Sequence, residues 1–185
     1  MKKIEEENIY VRARENAGYS RNAALDSIAL DEEMDCNISE STLRRIESNK
    51  TIPTPETVLA LSKTYHAPEL CNYYCTHQCA IGKETVPEVG ITDLFQIVIT
   101  TIDALNDLIA NEKTFIKITK DGLITEDEYE DFARITNLLD EVNMTAYALN
   151  VWTNKMILGN KIDKEKYLKI KNEKKSTWRN YLFHI

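Results

Sequence analysis

Two short helix patterns separated by a compact break, between residues 38 and 63, constrain the fold of this chain most. Ser39 precedes the first pattern as an N-cap, and Leu43 and Ile46 give that helix one apolar face. Thr54 caps the second pattern, and Pro55 follows at the first helical position, where a missing N–H is tolerated. The spacing predicts two consecutive helices with arginines on the exposed side of the first, an arrangement suited to a DNA major groove.

The surrounding segment, from about residue 9 to 83, resembles the Xre-type (phage-repressor, Cro/repressor) helix-turn-helix family. Residues 12–21, RARENAGYSR, are similar to its first helix, glycine turn and the start of its second helix. Residues 39–47, SESTLRRIE, are similar to its recognition helix, and residues 55–63 to the helix after it. Residues 72–82, NYYCTHQCAIG, resemble an ending seen in a subset of such regulators from Gram-positive anaerobes.

The resemblance implies a transcriptional regulator that binds double-stranded DNA through this domain. It places four residues at base edges: Arg21, Glu40, Ser41 and Arg45. Arginine suits guanine O6 and N7, whereas a carboxylate can accept from cytosine N4 but repels phosphates. Residues better placed for phosphates are Thr42, Arg44, Ser48 and Lys50. Because a fold does not establish a function, a domain that kept the fold and lost DNA binding is the alternative.

One departure from the family concerns the turn between the second and third helices, which is about four residues in the family. Here residues 29–37 lie between the two patterns, and four of them are acidic. Either the second helix runs on or the turn bulges. Acidic residues near a phosphate backbone are unfavourable, so this turn bears on how the domain would dock on DNA.

Composition favours an all-α chain, since five glycines and four prolines in 185 residues are few for the turns of a β fold. No apolar run approaches a membrane span, and the N-terminus lacks the apolar core of a signal peptide, so we expect a cytoplasmic protein with reduced cysteines. The net charge of −7 divides unevenly, with −3 in residues 1–83, −9 in residues 84–160 and +5 in residues 161–185. Nonspecific DNA affinity should therefore be weak unless the basic residues gather on one face.

The sequence predicts four segments: a bundle of about five helices over residues 1–83, a linker at 84–90, an acidic antiparallel helical hairpin at 91–160, and a basic tail with an aromatic end at 161–185. Thr125 and Glu128 form a capping box that opens the second hairpin helix. The predicted coiled-coil seam comprises Ile91, Leu94, Val98, Thr101, Leu105, Leu108 and Phe115 on one helix and Phe132, Ile135, Leu139, Val142, Ala146, Leu149, Thr153 and Met156 on the other.

Several apolar residues lie off that seam and would be exposed on a lone hairpin: Ile97, Ile102, Ile109, Leu138 and Trp152. A second copy of the chain would cover them through residues 91–158, and docking on the N-terminal bundle is the alternative. In the tail, one helical face is predicted for Trp178, Tyr181, Leu182 and Ile185. This tail could dock on the acidic hairpin, bind a protein partner or contact DNA.

Two other functional classes remain open. The fold could serve as a protein-interaction module without DNA binding, or three cysteines at i, i+4 and i+8 could sense redox state or bind metal. The redox or metal site would use Cys71, Cys75 and Cys79 together with His77 or Cys36. The spacing of these residues is not a standard zinc pattern. No metal or cofactor is assigned. Nucleophile motifs and Gly-rich phosphate loops are absent from the sequence, so we expect no enzyme activity.

Overall fold

The computed structural model describes residues 8–31, 34, 36–90 and 93–182, with side chains described to residue 173. Within these ranges the regular structure is entirely helical, which confirms the predicted all-α class. No helix there is long and apolar enough to cross a membrane. The α-helices are α1 Ile9–Asn16, α2 Arg21–Leu30, α3 Glu40–Glu47, α4 Pro55–Thr64, α5 Glu69–His77, α6 Ala80–Thr85, α7 Leu94–Ala110, α8 Glu112–Thr119, α9 Tyr129–Leu158 and α10 Lys164–Leu182.

Helices α1 to α5 enclose one apolar core, and the predicted local signals place them. Ser39 and Thr54 cap α3 and α4 by accepting from the N–H groups of Thr42 and Thr57. Gly18 turns the chain between α1 and α2 with φ +76°, a conformation that side chains rarely adopt. The core consists of Tyr10, Ala13, Ala24, Ile28, Leu43, Ile46, Val58, Ala60, Leu61, Tyr65, Ala67 and Leu70.

The long connection between α2 and α3 contains residues that pack against the domain core. Helix α2 ends at Leu30, where the extended backbone of Asp31 (φ −91°, ψ 100°) stops it, and α3 begins at Glu40. Met34, Cys36 and Ile38 are partly buried against the core. The second helix therefore runs on by two residues beyond Ile28, and the described insertion residues Met34 and Cys36 pack against the domain core. The acidic Glu32, Glu33 and Asp35 lie outside the described residues.

The N-terminal bundle has six helices in its described part, one more than the sequence predicted, because the chain breaks after His77. Cys79 caps the short helix α6, its Sγ accepting from the N–H of Gly82 at 3.4 Å. A Cβ on Gly82 would lie 2.3 Å from the carbonyl oxygen of Cys75, so the glycine permits α6 to approach α5 closely. The buried Asn72 then binds the following segment, donating to Pro87 O and accepting from Val89 N.

The hairpin pairs α7 with α9, but its seam on α7 differs from the predicted one. Ile97, predicted off the seam, is 2% exposed, and Ala104 is 5% exposed. The predicted seam residues Leu94, Val98 and Leu105 are 38 to 41% exposed. Since α7 is apolar over more than half its circumference, its periodicity fits two adjacent stripes, and contact with α9 selects the one containing Ile97. Ile91 lies outside the described residues.

The second hairpin helix agrees better with the prediction. The capping box of Thr125 and Glu128 is present and opens a short 3-10 turn, Glu126–Glu128, that leads into α9. Ile135 is fully buried, while Leu139 and Leu149 of the predicted seam are 39% and 38% exposed.

The first hairpin helix breaks at Asn111, which ends α7 and begins α8. The basic tail forms the single helix α10, and the side chains of its predicted aromatic face lie outside the described residues.

Candidate nucleic-acid interface

Helix α3 divides into a buried and an exposed face. Leu43 and Ile46 are 0% and 2% exposed, and Glu47 is also buried. These three residues fix the helix on the domain, so the remaining positions point to solvent. Seven of the eight residues predicted to contact DNA form this exposed surface, namely Glu40, Ser41, Thr42, Arg44, Arg45, Ser48 and Lys50.

The N-terminal end of α3 is held by a cluster of hydroxyl groups. Ser39 Oγ accepts from the backbone N–H of Thr42 at 3.2 Å. The same oxygen lies 2.9 Å from Ser41 Oγ and 2.9 Å from Thr42 Oγ1. Two predicted DNA contacts therefore share hydrogen bonds with the cap, which orients their side chains before any ligand binds.

The C-terminal end of α3 is held by a residue that the sequence did not single out. Asn8 Nδ2 donates to Ile46 O at 3.0 Å and to Asn49 Oδ1 at 2.6 Å. Asn8 Oδ1 also caps α1 by accepting from Tyr10 N and Val11 N. Asn49 adopts a left-handed conformation, with φ 57°, that turns the chain away after the helix. One asparagine thus ties the start of α1 to the end of α3.

A buried carboxylate links α3 to the two helices before it. Glu47 Oε1 accepts from Arg14 Nε at 2.6 Å, and Glu47 Oε2 accepts from Arg21 Nε at 2.5 Å. Arg14 also donates to the carbonyl oxygen of Tyr19 at 2.9 Å. The hydrogen bond to Glu47 raises the pKa of Arg14 further, and burial with the nearby Glu47 charge raises the pKa of Tyr65 above its ordinary value. The three helices are therefore locked by charge as well as by apolar packing.

This network changes the interpretation of Arg21, which the sequence assigned to a base edge. Its side chain is 36% exposed and its Nε is bound to Glu47. An arginine has five N–H donors, so contact with DNA is left to its terminal Nη groups. Arg21 and Glu40 line one open groove between the starts of α2 and α3, together with Glu15, Ser20 and Asn22. The carboxylates of Glu15 and Glu40 at this groove are unfavourable neighbours for a phosphate.

Comparison with protein families identifies this arrangement. A helix-turn-helix family model matches residues 12–69, from within α1 to the first residue of α5. Residues 12–69 are a helix-turn-helix domain of the Xre/Cro/cI type. Searches of curated proteins and of solved structures found no match to the chain. A domain of this type suggests a DNA-binding helix-turn-helix regulator.

The cysteines at the end of the helix-turn-helix domain are not arranged as a ligand set. Within the described residues, no group of three or more His, Cys, Asp or Glu side chains is placed to hold a metal ion. Burial raises the pKa of Cys71, and desolvation together with the neighbouring Cys79 and Cys71 raises that of Cys75. A raised pKa lowers the share of thiolate at Cys71 and Cys75, and the thiolate is the form that binds metal or attacks an oxidant.

His77 has its own partners in this region. Its ring stacks on Tyr73 at 4.4 Å between ring centres, and Nδ1 lies 2.8 Å from the hydroxyl of Thr76. Nε2 lies 3.5 Å from a carboxylate oxygen of Glu88 in the segment after α6. These contacts direct His77 toward the segment that leads to the hairpin.

Proposed function

We propose that this protein is a sequence-specific DNA-binding transcriptional regulator of bacterial or phage type, which binds a palindromic operator as a homodimer in the cytoplasm. The observation that carries the proposal is the exposed surface formed by α3 and the turn after it, which offers Arg44, Arg45 and Lys50 to solvent while Leu43 and Ile46 anchor the helix. Two such helices related by a two-fold axis would read half-sites about one turn of DNA apart.

The predicted contacts divide into two kinds. Arg45 is assigned to a base edge, where a bidentate contact to guanine would contribute roughly 1 to 3 kcal/mol of discrimination. Glu40 and Ser41 are assigned to neighbouring base edges, and the Nη groups of Arg21 are assigned to a base edge of the same site. Phosphate contacts are assigned to Thr42, Arg44, Ser48 and Lys50. With a net charge of −3 in residues 1–83, nonspecific binding should be weak and specific contacts should dominate.

The test is a selection of genome fragments on the purified full-length protein at low and moderate salt, read by sequencing. We expect enrichment of a palindrome with a fixed half-site spacing. If folded protein enriches no sequence at either salt concentration, the proposal is wrong. The interaction-module alternative would then be favoured by the acidic hairpin and its exposed apolar residues.

A matched pair of variants tests the residue assignments. Arg45→Ala should relax specificity at one base pair of the selected site. Lys50→Ala should weaken binding evenly across sequences and reduce the slope of affinity against salt by about one phosphate contact. Equal losses on the selected site and on a scrambled site for both variants would contradict the assignment of Arg45 to a base.

A further inference from the structure

Helix α7 leaves most of its large apolar side chains in solvent. Apart from Ile97, Ala104 and the half-buried Leu108, which face the hairpin, the helix carries a second apolar set that no described helix covers. Its members and their exposed fractions are Leu94 38%, Phe95 73%, Val98 40%, Ile99 39%, Ile102 48%, Leu105 41% and Ile109 66%. We call these seven residues the outer face of α7.

The outer face is one continuous stripe without charge. At 3.6 residues per turn, its members fall within about 140° of the helix circumference. The charged residues of α7, Asp103 and Asp107, lie on another side and line the groove between α7 and α9 together with Glu141. Asn106 is the one polar residue of α7 within this arc, so the stripe carries no charge that could pair with a phosphate or a charged peptide.

The size of the outer face is that of an interface. Seven large side chains at these exposures leave on the order of 600 Å² of surface in water, at the upper end of the ~300–600 Å² of the largest patch on a typical monomer. A stable protein interface of standard size buries about 800 Å² on each partner. Covering this stripe would therefore supply most of the buried area that one partner of a stable dimer contributes.

We propose that α7 packs through its outer face against α7 of a second copy of this chain, with the two helices antiparallel about a two-fold axis near Ile102. This inference rests on the proposed function, because it assigns the dimer contact that the palindromic site requires. Ile102 lies midway between Leu94 and Ile109, so an antiparallel arrangement sets each end of the stripe against the opposite end of its copy.

Charge opposes anionic lipid and DNA as occupants of the outer face, and an uncharged stripe offers the basic tail of residues 161–185 no ion pair. Residues 84–160 carry 14 acidic and 5 basic side chains, so this segment is repelled by anionic lipid and by DNA. Two copies meeting at the outer face bury only uncharged side chains and keep Asp103 and Asp107 on the far side of each α7. The resulting four-helix arrangement of two α7 and two α9 helices buries the stripe without bringing the acidic surfaces together.

The hairpin is tied to the helix-turn-helix domain at two places, so the dimer contact would also orient the two domains. Lys155 of α9 lies 3.4 Å from Glu69 of α5, and Asn72 of α5 holds the backbone of Val89 just before α7. Val151, one turn before Lys155, is buried. Because of these contacts, the packing of the two α7 helices would set the distance between the two α3 helices.

The test is sedimentation of the full-length protein without DNA, comparing wild type with Ile102→Glu and a control, Ile81→Glu. Ile81 is 75% exposed on α6, outside the outer face. We expect a dimer for wild type and Ile81→Glu, and for Ile102→Glu a dissociation constant raised by about 100-fold or more, since a central interface residue is lost. A monomeric wild type, or an Ile102→Glu protein that dimerises as tightly as wild type, would overturn the proposal.

A second measurement covers the case in which Ile102→Glu does not fold. Ile102→Cys, near the two-fold axis, should form a covalent dimer under mild oxidation, because two cysteines there come within disulfide reach. Asp107→Cys, on the opposite side of α7, and wild type with its native cysteines are the controls. Faster crosslinking of Asp107→Cys than of Ile102→Cys would place the contact on the wrong side of the helix and overturn the proposal.

The two proposals fail in different ways. A wild-type dimer that enriches no DNA contradicts the proposed function and supports the α7 contact. A monomer that enriches a single half-site contradicts the α7 contact and the homodimer of the proposed function, and leaves sequence-specific DNA binding in place.

Discussion

The helix-turn-helix domain and the hairpin differ in how completely they bury their apolar side chains. In the domain, Leu43, Leu61 and Leu70 are fully buried within one core that every helix from α1 to α5 contributes to. In the hairpin, only Ile97, Ala104, Ile118, Ile135 and Val151 among the described residues are buried apolar side chains. Five packed helices enclose a core, whereas a pair of helices leaves each partner with an open side.

The domain and the hairpin therefore differ in where their stability comes from. The domain gains from burial and from the charge network around Glu47 within one chain, so it should be stable on its own. The hairpin exposes apolar surface that only another surface can remove from water. We therefore expect large losses of stability for changes inside the domain and small ones for changes on the outer face of an isolated chain.

The largest loss is expected for Glu47→Gln. The carboxylate is 2% exposed and is the shared partner of Arg14 and Arg21, so its removal leaves a buried guanidinium without its counter-charge. We expect the free energy of unfolding to fall by about 3 to 5 kcal/mol in urea denaturation. The control is Glu15→Gln, since that carboxylate also contacts Arg14 but is 57% exposed. Equal effects of the two variants would show that burial of Glu47 is not what matters.

A pair of truncations compares the two regions directly. Leu61→Ala removes a fully buried side chain from the domain core and should lower the free energy of unfolding by about 2 to 5 kcal/mol. Leu105→Ala, at 41% exposure on α7, should change it by less than about 1 kcal/mol in dilute protein. The measurement is urea denaturation at a concentration where sedimentation shows monomer. A large loss for Leu105→Ala there would mean that its face is covered within the chain.

The connection between the two regions depends on Asn72. Its side chain is 4% exposed and makes hydrogen bonds with Pro87 O at 2.9 Å and Val89 N at 3.1 Å. Asn72→Ala leaves both backbone groups without this partner and should lower stability by about 1 to 3 kcal/mol. The specific measurement is hydrogen exchange of the Val89 amide, which should lose protection. Asn143→Ala, an exposed asparagine on α9, is the control and should leave that amide protected.

What the sequence predicted well depended on near neighbours in the chain. The caps at Ser39 and Thr54 and the capping box of Thr125 with Glu128 involve partners three residues away, so their residue types are sufficient to predict them. The exposed face of α3 followed in the same way, because Leu43 and Ile46 determine which side is buried. The domain type and its candidate DNA-contacting surface were therefore accessible from sequence.

The features that the sequence missed depend on distant residues. Arg21 binds Glu47 across 26 positions, and Asn8 binds Ile46 across 38. The α7 seam was wrong because the choice between two adjacent apolar stripes is made by the packing of α9, which no spacing within α7 encodes. The same excess of apolar positions that misled the prediction of the seam is what leaves the outer face of α7 open.

The smallest expected loss concerns the start of α3. Ser39→Ala removes the acceptor for Thr42 N and the centre of the hydroxyl cluster, and should lower the free energy of unfolding by about 1 kcal/mol. Ser41→Ala is the control, since its hydroxyl contacts only the Ser39 hydroxyl among the described partners and caps no backbone group. Hydrogen exchange should show the first turn of α3 opening in Ser39→Ala alone. Because that turn carries Glu40, Ser41 and Thr42, a loosened cap should weaken DNA binding more than it weakens the fold, whereas equal effects would mean that these three residues do not contact DNA.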